Sequence, residues 1–141
     1  MRFAVIKQFK NPDRYRAVIS NDVYLETMAS FFWDHMSSLK IVYSELIDPR
    51  GRGRAGNETS IDIDGSVITI GYFYAPEESI VVDRQELIKI ISKVIALLDL
   101  DSECVVLTHL TADSSIEVTD QLPHGLEIYK ENKSTKFRFN I

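Results

Sequence analysis

The chain has 141 residues, 45% of them apolar and 26% charged, with a formal net charge of −5 and a single cysteine. That length suits one domain able to bury roughly two-thirds of its unfolded surface, and the composition excludes disorder, a collagen-like repeat and a disulfide scaffold. The acidic balance disfavours general nucleic-acid binding, which draws on clustered Lys and Arg, and suits a basic partner better.

In chain order, residues 3–9 and 15–19 read as two short strands joined across Asn11-Pro12-Asp13, an opening hairpin. Ser20, Asn21 and Asp22 are N-cap residues for a first helix running to about Met36, with Val23, Met28, Phe31 and Phe32 near one face. Residues 39–47 alternate in a way that predicts a strand. Residues 48–57, with three glycines and a proline, predict loop.

Ile61 and Ile63 alternate with Asp62 and Asp64, Asp64-Gly65 suggests a type I′ turn, and residues 67–74 return as the second strand of a hairpin. Residues 75–78 predict a turn, and Ile80-Val81-Val82 leads into a second helix. Asp83 and Glu86 have capping-box spacing at its start, and Leu87, Ile90, Ile91, Val94 and their neighbours make one wide apolar face. Residues 104–110, 115–119, 126–129 and 136–141 then predict a terminal β-meander.

The expected fold is a single α+β domain over residues 1–141, mainly antiparallel sheet with two principal helices packed on it. Its longest apolar-rich stretch, residues 87–98, is broken by Lys89, Ser92 and Lys93 and falls short of the ~20 apolar residues of a membrane span. The first residues lack a signal-peptide pattern, and with one cysteine the expected location is the cytoplasm.

Several residue groups are candidates for chemistry, each with a plainer explanation beside it. Asp62 and Asp64 share a strand face and with Glu58 would make a carboxylate cluster for a metal, but alternation already explains them as a solvent face. His35, His109 and His124 have no second ligand at metal spacing, and no metal or cofactor is expected. Cys104 and His109 suggest a nucleophile and base, although a thiol within an apolar strand more often packs as a small hydrophobe.

Arg50, Arg52 and Arg54, interleaved with glycines, resemble short RNA-contacting tracts, while the acidic whole favours a solvated loop. Tyr72, Phe73 and Tyr74 form a dense aromatic run. A strand there must send one face into the core and leave the remaining ring or rings as anchors for a partner.

The succession of an acidic hairpin (residues 56–70), the extended Ile80-Val81-Val82 and the helix beginning at Arg84 resembles bacterial immunity proteins of polymorphic toxin and contact-dependent growth inhibition systems. The resemblance covers residues 57–98. It implies a cytoplasmic, non-enzymatic protein that binds the C-terminal domain of a cognate toxin, often a basic nuclease. The surface expected to serve that binding comprises Glu58, Asp62, Asp64, Glu77 and Glu78 with Tyr72 or Tyr74 as anchor. The rival expectations are a small metal-dependent hydrolase and an RNA-contacting accessory domain.

Overall fold

Apolar residues on both faces of one strand pair set the layering of this protein, whose computed structural model describes residues 1–9, 15–109, 111 and 115–140. Strand β1 (Arg2–Phe9) pairs antiparallel with β2 (Tyr15–Ser20) and, on its other side, with β7 (Cys104–His109). β7 in turn pairs with β8 (Glu117–Thr119), giving the order β2-β1-β7-β8. The expected turn at Asn11-Pro12-Asp13 lies outside the described residues.

Ala4, Ile6, Val105 and Leu107 enter the main core, while Phe3, Val5, Cys104 and Val106 enter a second core on the opposite face. β7 therefore has no solvent face, where the sequence suggested an alternating one. The second core needs its own cover, and β9 (Leu126–Glu131) and β10 (Ser134–Phe139) provide it as a separate two-stranded sheet. The Phe3 ring meets Phe137 and Phe139 edge-on, with centroids 5.3 and 5.7 Å away. The expected terminal meander is thus divided: its first half joins β1, and its second half packs over β1 and β7.

Helix α1 (Val23–Asp34) starts where predicted, with the Asp22 carboxylate accepting from the Leu25 amide at 3.0 Å. It buries Leu25, Met28, Ala29, Phe31 and Phe32 and contacts both large sheets. Residues 39–47 are not a strand. They form helix α2 (Leu39–Ile47), reached through a short 3-10 turn at Met36–Ser38. Leu39, Val42 and Leu46, spaced for one helical face, are buried, whereas Ile41 and Ile47 are exposed. Packing of that stripe against the core overrides the β-propensity of Ile41, Val42 and Tyr43.

The second large sheet is an antiparallel meander of β3 (Gly53–Ala55), β4 (Thr59–Asp64), β5 (Val67–Tyr72) and β6 (Ala75–Asp83). Three parts of it depart from expectation. β3 lies inside the predicted loop, because the backbone of residues 52–56 adds onto β4: Ile63 N donates to Arg52 O, and Gly56 N to Thr59 O. The β4–β5 turn has Gly65 and Ser66 at its centre, since Asp64 pairs with Val67. Only Gly65 has a positive φ, 61°, which fits a type II′ turn rather than type I′. Finally, β6 begins at Ala75, so the predicted turn at 75–78 is strand and the true turn is Phe73-Tyr74.

Helix α3 (Arg84–Asp99) follows β6 directly, capped by the Asp83 carboxylate, which accepts from the Gln85 and Glu86 amides. Arg84 ties three elements together: its guanidinium donates to the carbonyls of Leu46 (2.8 Å), Asp48 (2.8 Å) and Gly65 (2.9 Å). The fold class is α+β with antiparallel sheets, as expected, with α2 as a helix beyond the two predicted. Among the described residues no helix is long and apolar enough to cross a membrane.

Candidate functional site

The candidate site is built from the C-terminal end of α1, because an acid in the last turn of a helix opposes the macrodipole and needs donors from elsewhere. Asp34 finds them at the start of β4. Its Oδ2 accepts from Glu58 N (3.1 Å), Thr59 N (2.9 Å) and Thr59 Oγ1 (2.8 Å). Burial by itself would raise the Asp34 pKa, but these hydrogen bonds outweigh it and hold the carboxyl below its usual value.

His35 lies beside it, with Nε2 3.6 Å from the Asp34 carboxylate and 3.3 Å from Thr59 O; both side chains are 2% exposed. Burial pushes the imidazole pKa down, against the opposing pull of the Thr59 carbonyl and Asp34. His35 is thus a buried residue that favours its neutral form. Gly56 passes so close that a Cβ there would stand 2.5 Å from Asp34 Oδ2 and 2.7 Å from His35 Nε2. Only glycine fits.

This anchor fixes Glu58, whose carbonyl accepts from Phe73 N at 3.0 Å. The aromatic run is therefore a turn held against the Glu58 corner, and none of its rings enters the core. Tyr72 pairs with Thr59 on the face of Ile68 and Ile70 but is only half-buried, while Phe73 and Tyr74 are 52% and 71% exposed. The Tyr72 and Tyr74 rings lie 5.2 Å apart at 36°. Desolvation, followed by the nearby Tyr72, Glu58, Glu78 and Glu26, raises the Tyr74 pKa.

Glu77 and Glu78 sit next to this corner, where residues 76–79 of β6 lie opposite Gly71 alone, between the pairs Tyr72–Ala75 and Ile70–Ile80. The Glu78 carbonyl is held from below by Thr27 Oγ1 at 3.3 Å. Among the described residues, Glu26, Glu58, Glu77 and Glu78 make no ion pair, whereas Glu103, Glu127, Glu131, Asp48 and Asp99 each do.

Asp62 and Asp64 are elsewhere. They pair with Thr69 and Val67 on the outer, solvent-facing side of the sheet, opposite the face that carries Tyr72. Glu58 precedes Thr59 at the far end of β4, and a strand rise of ~3.3 Å per residue puts it about 20 Å from Asp64. The three carboxylates do not converge. Among the described residues no three His, Cys, Asp or Glu side chains come together to hold a metal.

Cys104 and His109 stand at opposite ends of β7, five residues apart and therefore on opposite faces, so they do not form a dyad. Cys104 Sγ donates to Asp120 O at 3.1 Å, and burial raises its pKa. His124 is exposed. Of the arginine tract, Arg50 lies 3.8 Å from Asp48, and Arg54 points inward with its Nε buried.

Sequence reasoning missed Asp34, Glu26 and the true turn. The Asp34 anchor had one available signal, an acid in a last turn of α1 that holds no basic residue. Glu26 had none, because its role comes from the packing of α1 beneath β6. Compared with known proteins, the chain matches no family model, no curated protein and no solved structure.

Proposed function

We propose that this is a cytoplasmic immunity protein, a non-catalytic inhibitor that binds a basic toxin domain and keeps it from its substrate, through the corner formed by Tyr72, Tyr74, Glu58, Glu77, Glu78 and Glu26. One observation carries the reading: an exposed Tyr74, its ring against the half-buried Tyr72, sits among carboxylates that have no cation of their own among the described residues. Aromatic rings of this kind anchor interfaces at low entropic cost, and Lys or Arg from a partner satisfies ring faces and carboxylates together. The net charge of −5 adds long-range steering toward a basic surface.

On this reading Asp62 and Asp64 contribute to the field and not to the contact. The test is co-expression with the product of the neighbouring reading frame. A tight complex with its C-terminal domain is expected, associating faster at low salt, as is rescue of cells from that domain's toxicity. A housekeeping neighbour, or association unaffected by salt, removes the reading or its electrostatic part respectively.

A further inference from the structure

Strand pairing decides which backbone groups of β2 are used and which are left over. Asn21 N donates to Phe3 O at 3.2 Å, and Gln8 N donates to Glu103 O at 2.9 Å, away from β2. Odd-numbered residues of β1 therefore bond to β2, and through the register Val5–Ile19 and Lys7–Ala17 the odd residues of β2 return those bonds. The N–H and C=O groups of Arg16, Val18 and Ser20 point outward from the sheet. The edges of the second large sheet are blunted: at β6, Tyr24 Oη donates to Val81 O and Thr27 Oγ1 to Glu78 O, and β3 is three residues long.

The β2 edge opens into a cleft of about 370 Å³. Val18 to Ser20 form its floor, Glu26 of α1 one wall, and Tyr129, Lys136 and Phe137 of the β9–β10 hairpin the other. The sheet of β2 and β1 is the middle layer between α1 and that hairpin, so the cleft continues the middle layer.

We infer that the β2 edge accepts an extended segment of the protein partner as a fifth strand beside β2, by main-chain hydrogen bonds to Val18 and Ser20. The inference rests on the binding reading above and adds its mode of contact. Alternate side chains of the incoming strand face opposite walls: one set meets Phe137, which packs with Ile128 on the second core, and the other meets Glu26. The segment that fits alternates apolar and basic residues. Glu26 lines the cleft and is also among the acids that act on the Tyr74 phenol.

The test selects random octapeptides on the immobilised full chain and measures the winners against Val18→Pro, which removes an outward N–H at an edge where proline is tolerated, and against Glu26→Lys. Alternating apolar and Lys/Arg peptides are expected, with affinity falling at least tenfold in V18P and severalfold in E26K. Amide exchange at Val18 and Ser20 of the unmutated protein should slow when such a peptide binds. Should V18P fail to fold, E26K and the exchange data decide.

Selected peptides that bind V18P equally, that protect Val81 or Asp62 instead, or that are displaced by a second copy of this chain overturn the inference. A toxin domain that needs Tyr74 but is indifferent to V18P removes the strand addition and leaves the corner. Strand binding without any toxin partner does the reverse.

Discussion

The two ends of the β4–β5 hairpin carry similar acidic composition and do different things. At the Gly65 end, Asp62 and Asp64 stand on an open sheet face, and a Cβ added to Gly65 would meet nothing within 4 Å. At the other end, Glu58 is set by the buried Asp34, a Cβ on Gly56 would collide with Asp34 and His35, and the adjoining turn presents Tyr72 to Tyr74. On the proposed reading, carboxylates become a recognition surface where the backbone and rings around them are fixed, and on an open strand they serve solvation. The difference lies in what supports each acid, not in how many there are.

Breaking that support should have the largest effect. Asp34→Ala leaves the amide and hydroxyl of the fully buried Thr59 without their acceptor, at a cost of roughly 2–4 kcal/mol, measured by urea unfolding. It should also weaken partner binding beyond what the stability loss explains, because Glu58 is released. Tyr72→Ala and Tyr74→Ala come next. Each should lower partner affinity tenfold or more, as anchor truncations do, yet move the melting temperature little, since neither ring is in the core. A Tyr74→Phe variant that binds normally would assign the contact to the ring and not the hydroxyl.

Acidification tests the same end of the hairpin. The His35 pKa is lowered, chiefly by burial, so the unfolded chain takes up the proton first. The associated stability is complete above about 6.5, the unfolded imidazole value, and declines as pH falls from there toward the folded value. Asp34, whose carboxyl is held low despite its burial, contributes stability above its unfolded value of about 3.8 that is lost as pH falls through the folded one. Unfolding free energy should therefore decline in two steps on acidification. Asp34→Asn should weaken the lower step and leave the upper one in place, and a flat profile between pH 7 and pH 5 would contradict the role of His35.

Much of the fold is legible in local pattern. The caps at Asp22 and Asp83, the apolar face of α3 and the alternation in β4 are short-range signals, and each element stands where those signals put it. What fails is long-range. The sequence of α2 carries both a β-rich composition and a helical stripe at Leu39, Val42 and Leu46, and only contact with the core decides between them. β3 exists because β4 offers it an edge, and the Phe73-Tyr74 turn exists because Glu58 holds it. Arg84, which looks like an ordinary first-turn residue, closes three carbonyls that are 38, 36 and 19 residues away in sequence.

The same distinction governs the candidate site. Alternation identifies Asp62 and Asp64 as exposed, but it says nothing of their distance from Tyr72, because register places Tyr72 on the opposite face. The smallest expected effect follows. The double variant Asp62→Asn, Asp64→Asn removes two charges without touching a buried group, so stability should change by less than about 0.5 kcal/mol. On the corner reading the dissociation rate of a toxin complex should be unchanged, while the association rate falls modestly at low salt and not at high salt, since remote charges steer encounters and do not hold the bound state. A faster dissociation in this variant would move the contact to the outer sheet face. The Tyr74 corner would then be a structural turn, and the two ends of the hairpin would exchange roles.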